Sequence, residues 1–102
     1  MTLIPESLIE IREYDGAGYK PLIDYQSWRV ALLNYTVDYL PEKINQMQKH
    51  SETDEVFVLL AGHCILFLGE GEQSVTKVHA VDMELYKLYN VKRGVWHSHT
   101  FS

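Results

Sequence analysis

The chain has 102 residues, 46% of them apolar and 23% charged, which excludes a disordered or collagen-like protein and predicts one small folded domain. Nine Lys and Arg residues against 14 Asp and Glu give a net charge of −5, and the absence of a basic run argues against nucleic-acid binding. The single cysteine, Cys64, excludes an internal disulfide, and no apolar run is long enough for a membrane span or a signal peptide. These features predict a cytoplasmic protein with no membrane partner.

Strand signals cover most of the chain. The segment 5–11 fits a short helix or an edge strand equally well. The segment 27–35 is predicted to be a strand, because Trp28, Val30 and Leu32 recur at every second position. Six further strands are predicted, in chain order, at 44–50, 55–60, 64–68, 75–81, 84–91 and 95–100.

Glycine-containing turns separate the predicted strands. Gly62 can adopt a positive φ, so residues 61–63 are expected to join their two flanking strands as a hairpin. Residues 69–73 and 92–94 give two further turns. Many short strands with turns of this kind are typical of an all-β sandwich or barrel.

A first group of polar residues precedes and follows the turn at 51–54. In an extended strand Gln46, Gln48 and His50 project to one face, and the turn would bring Glu55 beside His50. An imidazole and a carboxylate together suit a borderline divalent metal. The alternative is a hairpin whose polar side chains are simply solvated.

A second group lies in the last predicted strand. His97 and His99 share one strand face, which is the arrangement that two ligands of one metal require. Trp96 points to the other face and is expected in the core or at an interface. The alternative is a terminal strand with two solvated histidines.

Together the two groups resemble the two conserved motifs of the cupin superfamily. Gln48-x-His50-x4-Glu55-x6-Gly62 has the spacing of the first motif, with Gln48 in place of its first histidine. The run from Lys92 to His97 keeps the glycine and the histidine of the second motif, with Lys92 in place of its proline. Residues 47–62 and 93–97 also show a narrower similarity to the ureidoglycolate lyase branch of that superfamily.

The resemblance covers roughly residues 24–102 and implies one cupin-like domain, a double-stranded β-helix or jelly-roll barrel, preceded by an arm of about residues 1–23. The last strand or strands of such a barrel are missing, so we expect either a truncated chain or completion by another subunit in a homodimer.

The resemblance also implies a ligand set. By position, a divalent transition metal (Zn, Mn, Fe or Ni) would be held by His50, Glu55 and His97. Gln48 would be a weak fourth ligand through its amide oxygen, and His99 would be a substitute for it.

Three functions remain open on the residues alone. In the first, the metal acts as a Lewis acid on a small polar or anionic metabolite, with Glu55 as general base and Gln46 or Gln48 holding the substrate. A ureidoglycolate lyase-like enzyme is one form of this function. The second is a metal-free module that binds a sugar or an organic acid, and the third is a structural protein whose histidines bind nothing.

Overall fold

A computed structural model of the chain describes residues 4–41 and 46–101, and these residues form antiparallel strands with no α-helix. The chain divides into two compact units, one up to Thr36 and one from Val37 onward. In the described ranges no helix is long and apolar enough to span a bilayer.

The first unit is built on a hairpin of two strands, β1 (Gly18–Tyr25) and β2 (Trp28–Asn34). Strand β2 confirms the strand predicted at 27–35. Strand β1 was not predicted, because residues up to about 23 were assigned to an arm. Pro21 and a register shift between Pro21 and Ile23 break the period-two pattern, and pairing with β2 supplies the order that the local sequence does not indicate.

The segment 5–11 forms neither of the two structures expected of it. Residues 6–8 make a turn in which Leu8 N donates to Pro5 O at 3.0 Å, and residues 9–11 have no regular structure. None of the described residues of this unit is fully buried.

The second unit begins with a short 3-10 helix at Val37–Tyr39, and the elements that follow it among the described residues are strands. Two sheets result, one of four strands in the order β3-β8-β5-β6 and one formed by β4 and β7. Every predicted strand from 55 onward is confirmed with bounds that differ by up to four residues, whereas the start of the strand predicted at 44–50 lies outside the described residues. The strands are β3 (Gln48–Lys49), β4 (Glu55–Val58), β5 (Cys64–Glu70), β6 (Lys77–Asp82), β7 (Leu88–Val91) and β8 (Trp96–Phe101).

The predicted hairpin at 61–63 is wrong. Strand β4 pairs with β7, whereas β5 lies between β6 and β8, so β4 and β5 belong to different sheets. Gly62, with a φ of 79°, therefore turns the chain from one sheet to the other. A glycine turn is compatible with both connections, and the pairing of distant strands decides between them.

The core of the second unit draws side chains from both sheets. Among residues 37–41 and 46–101, five apolar residues are buried: Leu59, Cys64, Leu66, Met83 and Val91. Partly buried neighbours such as Phe57, Leu68 and Phe101 extend this cluster. The all-β class is thus confirmed, while the sheets formed by the described residues are not closed into a barrel.

Candidate metal centre

Three side chains with metal-binding atoms converge in the second unit. His50 follows β3, Glu55 begins β4 and His97 lies in β8, so the group joins both sheets. One ligand atom from each residue lies within 4.8 Å of the other two. Among the described residues this is the one such group of His, Cys, Asp or Glu side chains.

Glu55 lies between the two imidazoles. Its Oε2 is 3.3 Å from His97 Nε2, and its Oε1 is 3.8 Å from His50 Nε2. The two imidazole rings are 5.1 Å apart between centroids. His97 is only 5% exposed, whereas the side chains of His50 and Glu55 are 50% and 39% exposed. The group therefore has a buried end at His97 and an open end at His50.

Backbone contacts fix the loops that carry these residues. Gly94 N donates to His50 O at 2.6 Å, which ties the end of β3 to the turn before β8. The Asp54 carboxylate accepts hydrogen bonds from Arg93 N at 2.8 Å and from Asn90 Nδ2 at 3.2 Å. The bond from Arg93 N is the largest cause that lowers the pKa of Asp54, followed by the bond from Asn90. The residue before Glu55 is thus anchored to the loop that precedes His97.

The hydrogen bonding of His97 defines the role of each ring nitrogen. Nδ1 lies 3.3 Å from the carbonyl oxygen of Val95, which can only accept, so Nδ1 carries a proton. Nε2 is the atom that faces Glu55. A metal-ligating histidine commonly has one nitrogen held by a backbone carbonyl and the other left for the ion.

The electrostatics couple Glu55 and His97. The hydrogen bond from His97 lowers the pKa of Glu55 against the opposing effect of burial, and the charges of His97 and His50 lower it further. The same hydrogen bond raises the pKa of His97, again against burial. Whenever His97 is protonated on Nε2, that proton lies on the side of the ring that faces Glu55, where a cation would bind.

His99 lies outside this group although it shares a strand face with His97. Its ring packs against Tyr39, at 4.6 Å between centroids, and against Phe101, at 5.7 Å. Its Nε2 is shielded from solvent and has no hydrogen-bond partner among the described residues. Burial is the main cause that lowers the pKa of His99, and the charge of His97 adds to it.

Gln48 is on the same face of the sheet as His97. The two residues are directly opposite each other in the β3–β8 pair, and directly opposed side chains project to the same side. Gln48 is exposed. Lys49 is on the other side of the strand, where its Nζ donates to Glu72 O at 2.7 Å and lies 5.1 Å from the centre of the Trp96 ring.

Gln46 is not brought into the group. It lines a groove of about 570 Å³ whose other walls include Phe67 and Ser98. Phe67 and Ser98 alternate with Leu68 and His97 along β5 and β8, so the groove lies on the opposite face of the four-stranded sheet.

Sequence reasoning missed two features around these residues. Asp54 was treated only as a turn residue, although a carboxylate in a turn often accepts backbone N–H bonds and could have been examined for that role. The contact between Tyr39 and His99 has no local signal, because the two residues are far apart in the chain.

No protein-family model matches this chain, and no curated protein matches it. The chemistry of the group itself therefore carries the functional argument.

Proposed function

We propose that the chain binds one divalent transition metal through His50, Glu55 and His97 and acts through it on a small polar or anionic molecule. One observation carries this proposal: three side chains from separate strands and loops place their ligand atoms within 4.8 Å of one another. The three residues come from both sheets, and one of them, His97, is buried.

The donor set fits such an ion. Two imidazole nitrogens and one carboxylate oxygen form a common set in catalytic zinc sites, and imidazole also suits iron and nickel. Three protein ligands leave coordination positions for a small molecule, and half-exposed His50 leaves a path to solvent. Gln48, opposite His97 in the β3–β8 pair, is a candidate for a further oxygen ligand.

The strand order supports a cupin-type jelly roll as the fold of this unit. Consecutive strands β3, β4 and β5 alternate between the two sheets, and β8 returns to lie between β3 and β5. Long returns of this kind are characteristic of Greek-key connections, two of which make a jelly roll. In this interpretation the three ligands lie at the positions that the two cupin motifs assign to them.

The chemistry follows from the charges of the group. A bound divalent ion supplies Lewis-acid polarisation of a substrate oxygen. Glu55 has a lowered pKa, so it is ionised at neutral pH and suited to bind a cation. In the role of general base it would leave the ion and accept a proton from a bound molecule. The contact between His97 Nδ1 and Val95 O keeps the His97 ring in a fixed orientation.

Metal content tests this proposal directly. Untagged protein is reconstituted with Zn, Mn, Fe or Ni, dialysed and measured by elemental analysis, with His97→Ala and His79→Ala prepared in parallel. We expect about one equivalent of metal in the wild type and in His79→Ala, and none in His97→Ala, because only His97 belongs to the converging group. Wild-type protein that retains no metal would refute the proposal, as would equal loss in both variants.

A further inference from the structure

The three-ligand group does not explain why the buried Nε2 of His99 has no hydrogen-bond partner among the described residues. This nitrogen is the one buried side-chain nitrogen or oxygen in the described ranges without a hydrogen-bond partner. A buried polar atom left without a partner is costly, so such atoms are rare and call for an explanation. A missing ligand group is one explanation that can be tested.

The position of His99 places this nitrogen near the proposed site. His99 follows His97 by two residues in β8, so both rings project to the same face of the sheet. Leu66 lies opposite His99 in the β5–β8 pair, and Tyr39 and Phe101 pack against the ring. Because rings hold His99 on two sides, turning its Nε2 out to solvent would break these contacts.

The charge of the site indicates what would approach His99. A divalent ion with Glu55 as its single anionic ligand retains one positive charge, since both histidines bind as neutral imidazoles. Such a charge in a partly buried site attracts an anion more strongly than it would in water. Phe57 meets the His97 ring edge-on at 5.9 Å, so an apolar side chain borders the group.

We infer that His99 binds the anion that accompanies the metal: its Nε2–H donates a hydrogen bond to an oxygen of a small monocarboxylate held beside the ion. This inference rests on the proposed metal site and narrows its substrate class from polar or anionic molecules to monocarboxylates. His99 is then a ligand-binding residue rather than a fourth metal ligand.

Acetate binding to the Co²⁺-loaded protein is the test. Co²⁺ gives visible absorption bands that respond to added anions, so one titration reports metal binding and a second reports acetate binding. The variant His99→Phe removes the donor but keeps a ring against Tyr39 and Phe101, whereas His99→Gln keeps an N–H group in place of Nε2. His79→Phe, at an exposed histidine, is the matched control.

We expect His99→Phe to bind one equivalent of Co²⁺ and to bind acetate about tenfold to a hundredfold more weakly than the wild type, as the loss of a hydrogen bond to a charged group predicts. His99→Gln should recover most of the acetate affinity, and His79→Phe should match the wild type. Unchanged acetate affinity in His99→Phe overturns the inference, and so does loss of Co²⁺ from that variant, which would make His99 a metal ligand.

A measurement on wild-type protein covers the case in which His99→Phe does not fold. In the Zn²⁺-loaded protein the ¹⁵N resonance of His99 Nε2 should shift when acetate is added, and an unmoved resonance at saturating acetate overturns the inference. Wild-type protein that binds neither Co²⁺ nor Zn²⁺ refutes the proposed metal site instead, so the two failures are distinguishable.

Discussion

Two kinds of histidine–carboxylate contact coexist in the second unit, and the kind with the shorter distances is the less informative about a functional site. The exposed pairs are His63–Asp82, at 2.6 Å, and His79–Glu70, at 2.5 Å. Glu55 and His97 are farther apart, at 3.3 Å, but the His97 side chain is only 6% exposed and a second histidine faces the same carboxylate. Exposed ion pairs contribute little because water and salt screen them. Burial and the convergence of a third group, rather than short distance, thus distinguish a candidate site from a surface contact.

The largest difference between the two kinds of contact is expected in metal affinity. Glu55→Gln keeps the shape of the side chain but removes the anionic ligand, so we expect metal affinity to fall by more than about a hundredfold, since even partners outside the ligand shell are worth about 10–100-fold. Asp82→Asn makes the same change in an exposed pair and should leave affinity unchanged. Competition with a chromophoric chelator measures the metal affinity of both variants, and equal affinities would show that Glu55 contributes no more to metal binding than an exposed carboxylate does.

A smaller gain is expected where the converging group is incomplete. Gln48→His places an imidazole opposite His97 in the β3–β8 pair and should tighten metal binding about tenfold, because imidazole is a better donor than an amide to Zn, Fe or Ni. Lys49→His is the matched control, since Lys49 lies on the other face of the same strand. The same chelator competition is used. If Lys49→His binds the metal more tightly than the wild type, or if Gln48→His does not, then β3 does not present Gln48 to the site.

The smallest expected effect is on the stability of the metal-free protein. Because its pKa is lowered from the ordinary value of 4.5, Glu55 stabilises the fold fully at a pH above 4.5. This stabilisation is lost as the pH falls through the lowered pKa. Because its pKa is raised from the ordinary value of 6.5, His97 stabilises the fold fully at a pH below 6.5. This stabilisation is lost as the pH rises through the raised pKa. The pair should therefore contribute most between about pH 5 and 6, by about 0.5–1 kcal/mol after allowance for solvent screening at partly exposed Glu55.

Urea unfolding at several pH values measures that contribution as the difference in free energy of unfolding between wild type and Glu55→Gln. The difference should be largest near pH 5–6 and smaller on both sides. Asp82→Asn is the control variant, because the Asp82 side chain is 72% exposed against 39% for Glu55. A difference for Glu55→Gln that does not vary with pH would contradict the proposed coupling to His97.

The sequence could predict the features that depend on neighbouring residues. A period-two pattern located β2, and short runs separated by turn residues located the strands from β4 to β8. The turn at 51–54 accounts for the approach of His50 and Glu55. The sequence could not predict which strands pair, so the connection at Gly62 was interpreted as a hairpin. The position of Gln46 likewise depends on how the chain enters β3, which alternation alone does not determine.

His99 shows the same limit at a single residue. The spacing predicted His99 as a metal ligand together with His97, because both residues occupy one strand face. Its surroundings are determined by Tyr39, from the beginning of the unit, whose ring covers the His99 ring. A contact between residues so far apart leaves no pattern within either segment.

The distance in sequence between Glu55 and His97 also affects how the molecule reaches its folded state. Their contact requires the segment between β4 and β8 to close as a long loop of the folding chain, which is an entropically unfavourable and slow step. An unfolded chain does not hold these groups together, so an ion that binds the assembled group acts by mass action on folding itself. At a free concentration about 100 times its Kd, such an ion would add about 2.7 kcal/mol to the free energy of unfolding, and the thermal midpoint would then report its occupancy.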